Sequence, residues 1–396
     1  MKKLRVLFVQ DHLRNGGAAR ATSRWARLLG RAGHTVMQAA GDEAASAGFF
    51  LTGKPPRGWR RVVECFTDQK KERKKKVEQR LGELLAKESP DFVWFHNIAG
   101  GGKWGWSEEM LTTARRYAPA IWTLHDMWAL GEGSESYWQE DSVVEGGRGQ
   151  EVKGEALKGS RVQRVCGESA KYPVTITAPS QWLADLTKKI TGQECVFLPN
   201  PIDLKIFSPG DRQAARQRFG LPEKGLVVLA GADSLMDQRK GFDLLRGAWK
   251  LGSFHDAILA LFGRHGESRS GERYLGNLTS DEEMVAAYQA ADLYVHPARM
   301  ENAPCTIQES LACGTPVLAF AVGGIPEMVV PRKTGFLVAR LSPESLAETL
   351  ASALADPEQL REMWERCRKH AEEIWKPEKL MRRFAELARG LMAESR

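Results

Sequence analysis

Two carboxylates, Glu301 and Glu309, bracket seven residues in the segment PARMENAPCTIQESLACGTPVLAFAVGGIPEMVVPRKTG, Pro297 to Gly335. A helix starting near Pro304, where the missing N–H costs nothing, would carry Glu309 inside and leave Glu301 just ahead. The helical rise then separates the two carboxylates by about 10–12 Å, too far to share a proton. Each can instead accept from the hydroxyls of a separate ring, with Asn302, Ala303, Pro304, Cys305 and Thr306 between them. Downstream, an expected strand (Pro316–Phe320), a Gly323-Gly324 turn and a helix at Pro326-Glu327 bring N–H groups toward an anion. Together these features suit a nucleotide-sugar, a pyrophosphate flanked by two polyols. An isolated pair of glutamates at this spacing would signify nothing.

Further candidates stand where other expected strands end. Arg239 and Lys240 close a loop before a helix that begins at Gly241, where cations can hold a pyrophosphate and neutralise it as it departs. Gly16 and Gly17 follow the first strand and would let backbone approach a phosphate or sugar with no side chain in the way. His125 and Asp126 end the strand Ala120–Leu124. The imidazole suits a hydrogen bond to a sugar hydroxyl, and Asp126 suits a supporting base or an acceptor contact. The catalytic set read this way is His125, Asp126, Lys240 and Glu301.

The elements that must position these residues alternate strand and helix. Strands are expected at Leu4–Gln10, Thr35–Ala40, Asp91–His96, Ala120–Leu124, Val174–Ala178 and Cys195–Leu198, with helices at Ala18–Ala32, Ser107–Tyr117 and Ser180–Ile190. After a Pro-rich linker the pattern resumes: strands at Gly225–Ala230, Ala257–Phe262 and Asp292–His296, a loop at Gly231–Arg239, and helices at Arg212–Phe219, Ser280–Ala290 and Pro304–Cys313. This predicts an α/β chain of two doubly wound parallel sheets with ligands at the carboxyl ends of the strands. The expected boundaries are 1–198 for a first Rossmann-like domain, 199–210 for the linker, 211–375 for a second, and 376–396 for a C-terminal helix. The stretch Gly131–Tyr172 interrupts the alternation and reads as a flap or disordered insert.

A chain of 396 residues, 42% hydrophobic and 27% charged, supports two full cores. The net charge of +7 has one source: residues 54–80 hold eleven Lys/Arg against four Asp/Glu. No recognition motif accompanies that charge, which argues against nucleic acid. Trp59, Val62, Val63 and Phe66 fall at helical spacing around Arg60 and Arg61, beside Lys74, Lys75 and Lys76. Such an element suits an anionic membrane or an acceptor, and equally a solvated helix. The short apolar run Val6–Val9 reads as a strand rather than a signal peptide. No apolar run approaches the length of a membrane span. The six cysteines show no C-x-x-C pair and read as reduced packing residues. No G-x-x-x-x-G-K-[ST] is present, which argues against a P-loop. A cytoplasmic protein, placed peripherally on the inner face of the membrane, is expected.

GGAARA, TLHDMW, PNPID, RKGFDLL, the E-x7-E pair, SLACGTPV and GGIPE together resemble the retaining glycosyltransferases of family 4 (group 1), across nearly the whole chain. That resemblance implies the GT-B fold, two Rossmann-like domains facing across a cleft, with acceptor bound by the first and nucleotide-sugar by the second. It implies a hexosyltransferase acting with retention, the departing phosphate oxygen taking the acceptor proton, and a final helix returning to the first domain. His125 resembles the family histidine that faces the donor sugar, and Lys240 its phosphate-binding lysine. Many relatives carry an arginine after the glycine of that strand. This chain has Gly231-Ala232, and Arg239 is expected to supply the charge. Relatives with HDMW often have cysteine pairs in the insert, where this chain has only Cys166. No D-x-D occurs, so no metal and no cofactor are expected beyond a nucleotide diphosphate sugar, UDP-sugar first, with a lipid-linked or envelope-polysaccharide (lipopolysaccharide-type) acceptor. Two alternatives remain: a nucleotide-sugar 2-epimerase of the same fold, and a non-catalytic sugar- or membrane-binding protein.

Overall fold

The computed structural model describes residues 2–11, 16–41, 49–50, 69–98, 106–131, 160–252, 254–268 and 271–393. The chain forms two compact units, which meet in sequence at Pro201 and Ile202; the first also takes the C-terminal helix from Pro377.

The first unit is built on a parallel sheet of β1 (Arg5–Gln10), β2 (Thr35–Ala40), β3 (Phe49–Phe50), β4 (Phe92–Phe95), β5 (Ala120–Thr123), β6 (Val174–Ala178) and β7 (Cys195–Phe197), ordered β3-β2-β1-β4-β5-β6-β7. Strand order reverses between β1 and β4, and ligands of doubly wound sheets bind at the carboxyl ends beside such a reversal. One face of the sheet is aromatic. Phe8 meets Trp94 edge-on at 5.2 Å, and Trp25 of the helix Gly16–Arg31 lies 5.2 Å from Trp94. Phe384 of the helix Pro377–Ala393 stacks on Trp94 at 5.7 Å. Leu380, Ala388 and Leu391, four or so residues apart, complete the stripe by which that helix joins this core.

The second unit holds β8 (Leu226–Ser234), β9 (Ala257–Arg264), β10 (Glu272–Gly276), β11 (Leu293–His296), β12 (Val317–Phe320) and β13 (Gly335–Val338), ordered β10-β9-β8-β11-β12-β13 and again parallel. Its reversal lies between β8 and β11. Asp292 ties these two strands at their starts: its Oδ2 accepts from the Val227 N–H at 2.7 Å and from Arg216 Nη2 at 2.6 Å.

Several elements differ from the sequence reading. Strand β8 runs on to Ser234, through residues expected in a loop, because Gly231 and Ser234 pair with Phe262 and Arg264 of β9. Strands β3, β10 and β13 were not expected; each is short, and its apolar residues do not alternate clearly enough to separate it from a loop. Gly16 and Gly17 open the first helix rather than lying in the loop before it. Pro304 is the N-cap of the helix Cys305–Ala312, not its first residue. Ile202 and Phe207, from the expected linker, are buried in the second core. Of the insert, the structure describes the helix Arg161–Gly167. Residues 132–159 lie outside the described set, as do Asn15, Cys65 and the stripe from Trp59 to Phe66. Burial pushes the Cys195 thiol up to about 12 and those of Cys313 and Cys367 higher still, which suits packing residues. Among the described residues no helix is long and apolar enough to cross a membrane.

One backbone contact sets the geometry of the second reversal. Gly241 has φ +68°, and a Cβ placed on it would lie 1.9 Å from the Pro297 carbonyl oxygen. Only glycine allows both the left-handed turn and that approach. Gly241→Ala is therefore expected to destabilise the protein by about 2–4 kcal/mol. Gly30→Ala, in a helix with open space around it, should stabilise by up to about 1 kcal/mol. Urea unfolding of both variants checks this, and equal midpoints would rule out the contact as described.

Candidate functional site

Lys240 and Glu301 are sixty-one residues apart in sequence and ion-paired through Nζ and Oε1. The turn that presents Lys240, Gln238–Lys240, is capped by Asp237, whose Oδ1 accepts from the Arg239 N–H at 3.0 Å. The far side of the reversal is clamped to it by Arg299. Its backbone N–H donates to the Arg239 carbonyl at 2.9 Å, its Nη1 donates to the Gln238 carbonyl at 2.8 Å, and its guanidinium spans the Asp243 carboxylate at 2.7 and 2.5 Å. With Gly241 lying against Pro297, the loops after β8 and β11 are bound to one another. That staple brings Lys240 to Glu301.

The electrostatics follow from burial and pairing. Burial alone would raise the Glu301 carboxyl, but the Lys240 ammonium and the His296 ring, whose Nε2 lies 3.6 Å from the same oxygen, hold it well below the usual carboxylate range. Burial would lower Lys240, and Glu301 more than reverses that. Both are charged at neutral pH. His296 Nδ1 lies 3.2 Å from the Tyr294 hydroxyl and 3.4 Å from Thr306 Oγ1, so the ring is oriented from its other side. A fixed ammonium beside an ionised carboxylate can present donors to an oxyanion and an acceptor to a hydroxyl.

The remaining candidates of this unit divide. Arg239 is half exposed and held by Asp237, with Nη2 2.9 Å from Oδ2, so its charge is already paired within its own turn. Asn302, Pro304 and Cys305 are buried, while Ala303 and Thr306 are partly exposed. Glu309 is wholly buried and accepts from the Tyr288 hydroxyl at 3.1 Å. The Gly324 N–H, expected to face an anion, instead donates to the Glu301 carbonyl at 3.4 Å, and the helix it opens is a single turn, Ile325–Met328. Sequence reading missed Asp237, Arg299, Tyr288 and His296. His296 could have been found by the rule that found His125, a polar residue ending a parallel strand. The other three reveal themselves only through their partners.

In the first unit the carboxyl edge of the aromatic face turns polar. Trp94 donates to Thr123 Oγ1 at 2.7 Å, and Thr123 bonds Thr177 at 2.7 Å. Two residues further on, His125 meets His96, Nε2 to Nδ1, at 3.0 Å. Asp126 accepts from the N–H of Trp128, the first residue of the turn Trp128–Leu130, at 2.9 Å. Gly16 has φ +86° at the start of its helix, as a left-handed entry requires. Lys74 pairs with Glu109 at 3.4 Å, whereas Lys75 and Lys76 are exposed on the helix Gln69–Glu88.

The Lys240–Glu301 pair gives a signed pH dependence. Glu301's depressed carboxyl contributes stability that is complete above its unfolded value, about 4.3, and is lost as pH falls below it. Lys240's raised ammonium contributes below about 10.4 and its share is lost as pH rises through the folded value. Lys240→Met should cost about 2–3 kcal/mol between those limits, less than for a fully buried pair because both side chains keep some solvent. The deficit should shrink toward acid, where Glu301 can protonate. Thermal unfolding of both proteins from pH 3 to 9 checks this; a pH-independent deficit would contradict it.

Two family models match the chain, one over each unit. "Glycosyltransferase Family 4" matches residues 15–206 and "Glycosyl transferases group 1" matches residues 211–372. The chain is similar to D-inositol 3-phosphate glycosyltransferases: 28% identical over 64% of this chain and 56% of the protein from Mycobacteroides abscessus, and 33% over 43% and 41% for that of Segniliparus rotundus. These alignments span about half the length of the relatives. A GDP-mannose-dependent monoacylated alpha-(1-6)-phosphatidylinositol monomannoside mannosyltransferase from Corynebacterium glutamicum is 29% identical over 62% of this chain and 70% of its own. Among solved structures, sucrose-phosphate synthase from Thermosynechococcus elongatus superposes with TM-score 0.75 at 20% identity, covering 99% of this chain and 100% of that one. Anabaena HepE in complex with UDP-glucose gives 0.71 at 15%, covering 98% and 100%. With a family model over each sheet and a shared architecture across both, the chain belongs to the group 1 glycosyltransferases and has the GT-B fold.

Proposed function

We propose that the chain is a retaining glycosyltransferase that moves a hexosyl group, without a metal, from a nucleotide diphosphate sugar to a lipid-linked or envelope-polysaccharide acceptor. The observation that carries this is the Lys240–Glu301 pair, clamped at the strand-order reversal of the second unit. Lys240 neutralises the leaving diphosphate, and Glu301 accepts from a hydroxyl of the sugar. The bond from C1 to the phosphate oxygen breaks, the acceptor oxygen bonds C1 on the same face, and its proton passes to the departing phosphate oxygen. Glu309 holds the ribose hydroxyls once Tyr288 yields part of its carboxylate. His125 and Asp126 serve the sugar and the acceptor from the first unit. A UDP-sugar is the first donor to try, because the similar Anabaena structure holds UDP-glucose; a GDP-sugar follows from the Corynebacterium relative.

Incubation with labelled UDP- and GDP-sugars and a membrane extract tests the reaction. Label should move to the acceptor with unchanged anomeric configuration; interconversion of the donor alone would make the chain an epimerase, and inertness toward all donors a binding protein. Lys240→Ala should lower turnover by about 10²–10³-fold, as for loss of one preorganised charge-stabilising donor. Glu309→Ala should weaken free-nucleotide binding by about 1.5–3 kcal/mol, read by calorimetry. Near-normal values in folded variants would move the phosphate and ribose sites elsewhere.

The charge of residues 54–80 suits an anionic membrane surface, with Lys75 and Lys76 exposed to meet it. Each cation near the surface contributes about 1 kcal/mol, screened by salt. Sedimentation with phosphatidylglycerol vesicles should retain the protein at low salt and release it at high salt. Equal recovery with neutral vesicles, or no change in a Lys75→Gln/Lys76→Gln variant, would leave a solvated helix.

A further inference from the structure

His96 directly follows β4 beside the reversal of the first sheet and is 1% exposed. Trp94 stacks on it at 5.2 Å and Phe8 meets it edge-on at 5.3 Å, so the plane of the ring is held. Its Nδ1 lies 3.0 Å from Nε2 of His125, with the two rings stacked at 5.3 Å. Burial holds His96 well below the ordinary histidine value, helped by the charge His125 would carry, and burial lowers His125 to about 4. At neutral pH the pair therefore carries no charge.

A neutral imidazole has one N–H and one lone pair, so a 3.0 Å contact between ring nitrogens couples the two tautomers. If His125 donates, the proton of His96 must lie on Nε2. If His96 donates from Nδ1, its Nε2 is a bare lone pair and His125 carries its own proton on Nδ1. The deciding observation is that His96 Nε2 is buried and has no hydrogen-bond partner among the described residues. Buried donors are left orphaned more rarely than buried acceptors are left under-satisfied. The second arrangement is the favoured one.

We propose that His96 is a positioning residue that donates from Nδ1 to Nε2 of His125 and so locks His125 in its Nδ1–H tautomer. Held this way, His125 offers a donor to a substrate oxygen, and its Nε2 lone pair is spent, so it does not serve as a base through that atom. The nature of that substrate, a sugar or its acceptor, rests on the transferase reading; the lock does not.

The test uses the full chain with ring-¹⁵N histidine at pH 7 and long-range ¹H–¹⁵N correlation, which reports the protonated nitrogen of each of the eight histidines. His96→Asn and His125→Asn assign the two signals. The expected wild-type pattern is a protonated Nδ1 and an unprotonated Nε2 in both rings. His96→Phe keeps an aromatic ring on Trp94 and removes the donor, so His125 should shift to Nε2–H or a mixture. His96→Asn puts an amide donor where Nδ1–H stood and should preserve the wild-type tautomer. In the transfer assay kcat should fall by about tenfold or more in His96→Phe, with the KM for nucleotide-sugar unchanged, and recover in His96→Asn. A proton on Nε2 of wild-type His125, or an unaltered His125 tautomer in His96→Phe, would overturn the lock. The expected tautomers in a chain that transfers no sugar would support the lock and defeat the transferase reading instead.

Discussion

Gly241 lying against the carbonyl of Pro297 is the contact on which the second unit's chemistry depends. A Cβ there would push the loop after β8 away from the loop after β11, and Lys240 would no longer reach Glu301. The clamp of Arg299 on the Arg239 and Gln238 carbonyls works only at that separation. A close backbone approach thus comes first, the hydrogen bonds second, and the ion pair last. Without its partner each charge would face a desolvation cost that its remaining neighbours do not offset. Arg368 supports the same region from outside: it donates to the carbonyls of Leu204, Phe207 and Ala312, the last at the end of the helix that carries Glu309. Those carbonyls would otherwise be among the unsatisfied groups of a helix C-terminus.

The two sheets solve one topological problem with opposite electrostatics. In each, strand order reverses beside the first strand, and the loops at the reversal carry polar residues on a rigid parallel base. The second unit places a cation and an anion in contact there, and each keeps the other ionised. The first places two imidazoles in contact, and burial keeps both neutral. The period of two along the strands also explains why the first site sits on an aromatic foundation. Phe8 on β1, Trp94 on β4, and Ile121 and Thr123 on β5 share one face, apolar at its base and polar at its carboxyl edge, where His96 and His125 follow the two strands.

Much of this was legible from the residues. Alternating apolar runs and helical stripes gave ten of the thirteen strands described, because parallel strands buried on both faces are dense in Val, Ile, Leu and aromatic residues. Ser180 and Ser280 could be read as helix starts, and both cap their helices through the side chain. Lys240, Glu301 and His125 could be named because each stands at the end of an element or in the loop that follows a strand, where ligands of doubly wound sheets bind. The short β3, β10 and β13 escaped for want of a pattern, and β8 extended past its expected end because pairing with β9 outweighed the loop character of its sequence.

By itself the sequence determined the class of fold, the elements and their order, and the kinds of residue at the strand ends, since these depend on periodicity and local propensity. The tertiary structure alone decided which of those residues meet. Lys240 finds Glu301, Arg299 finds Asp243, His125 finds His96 and Tyr288 finds Glu309 across separations of 21 to 61 residues. Such pairings have no signature along a single chain, because they are fixed by strand order and by how closely two backbones approach.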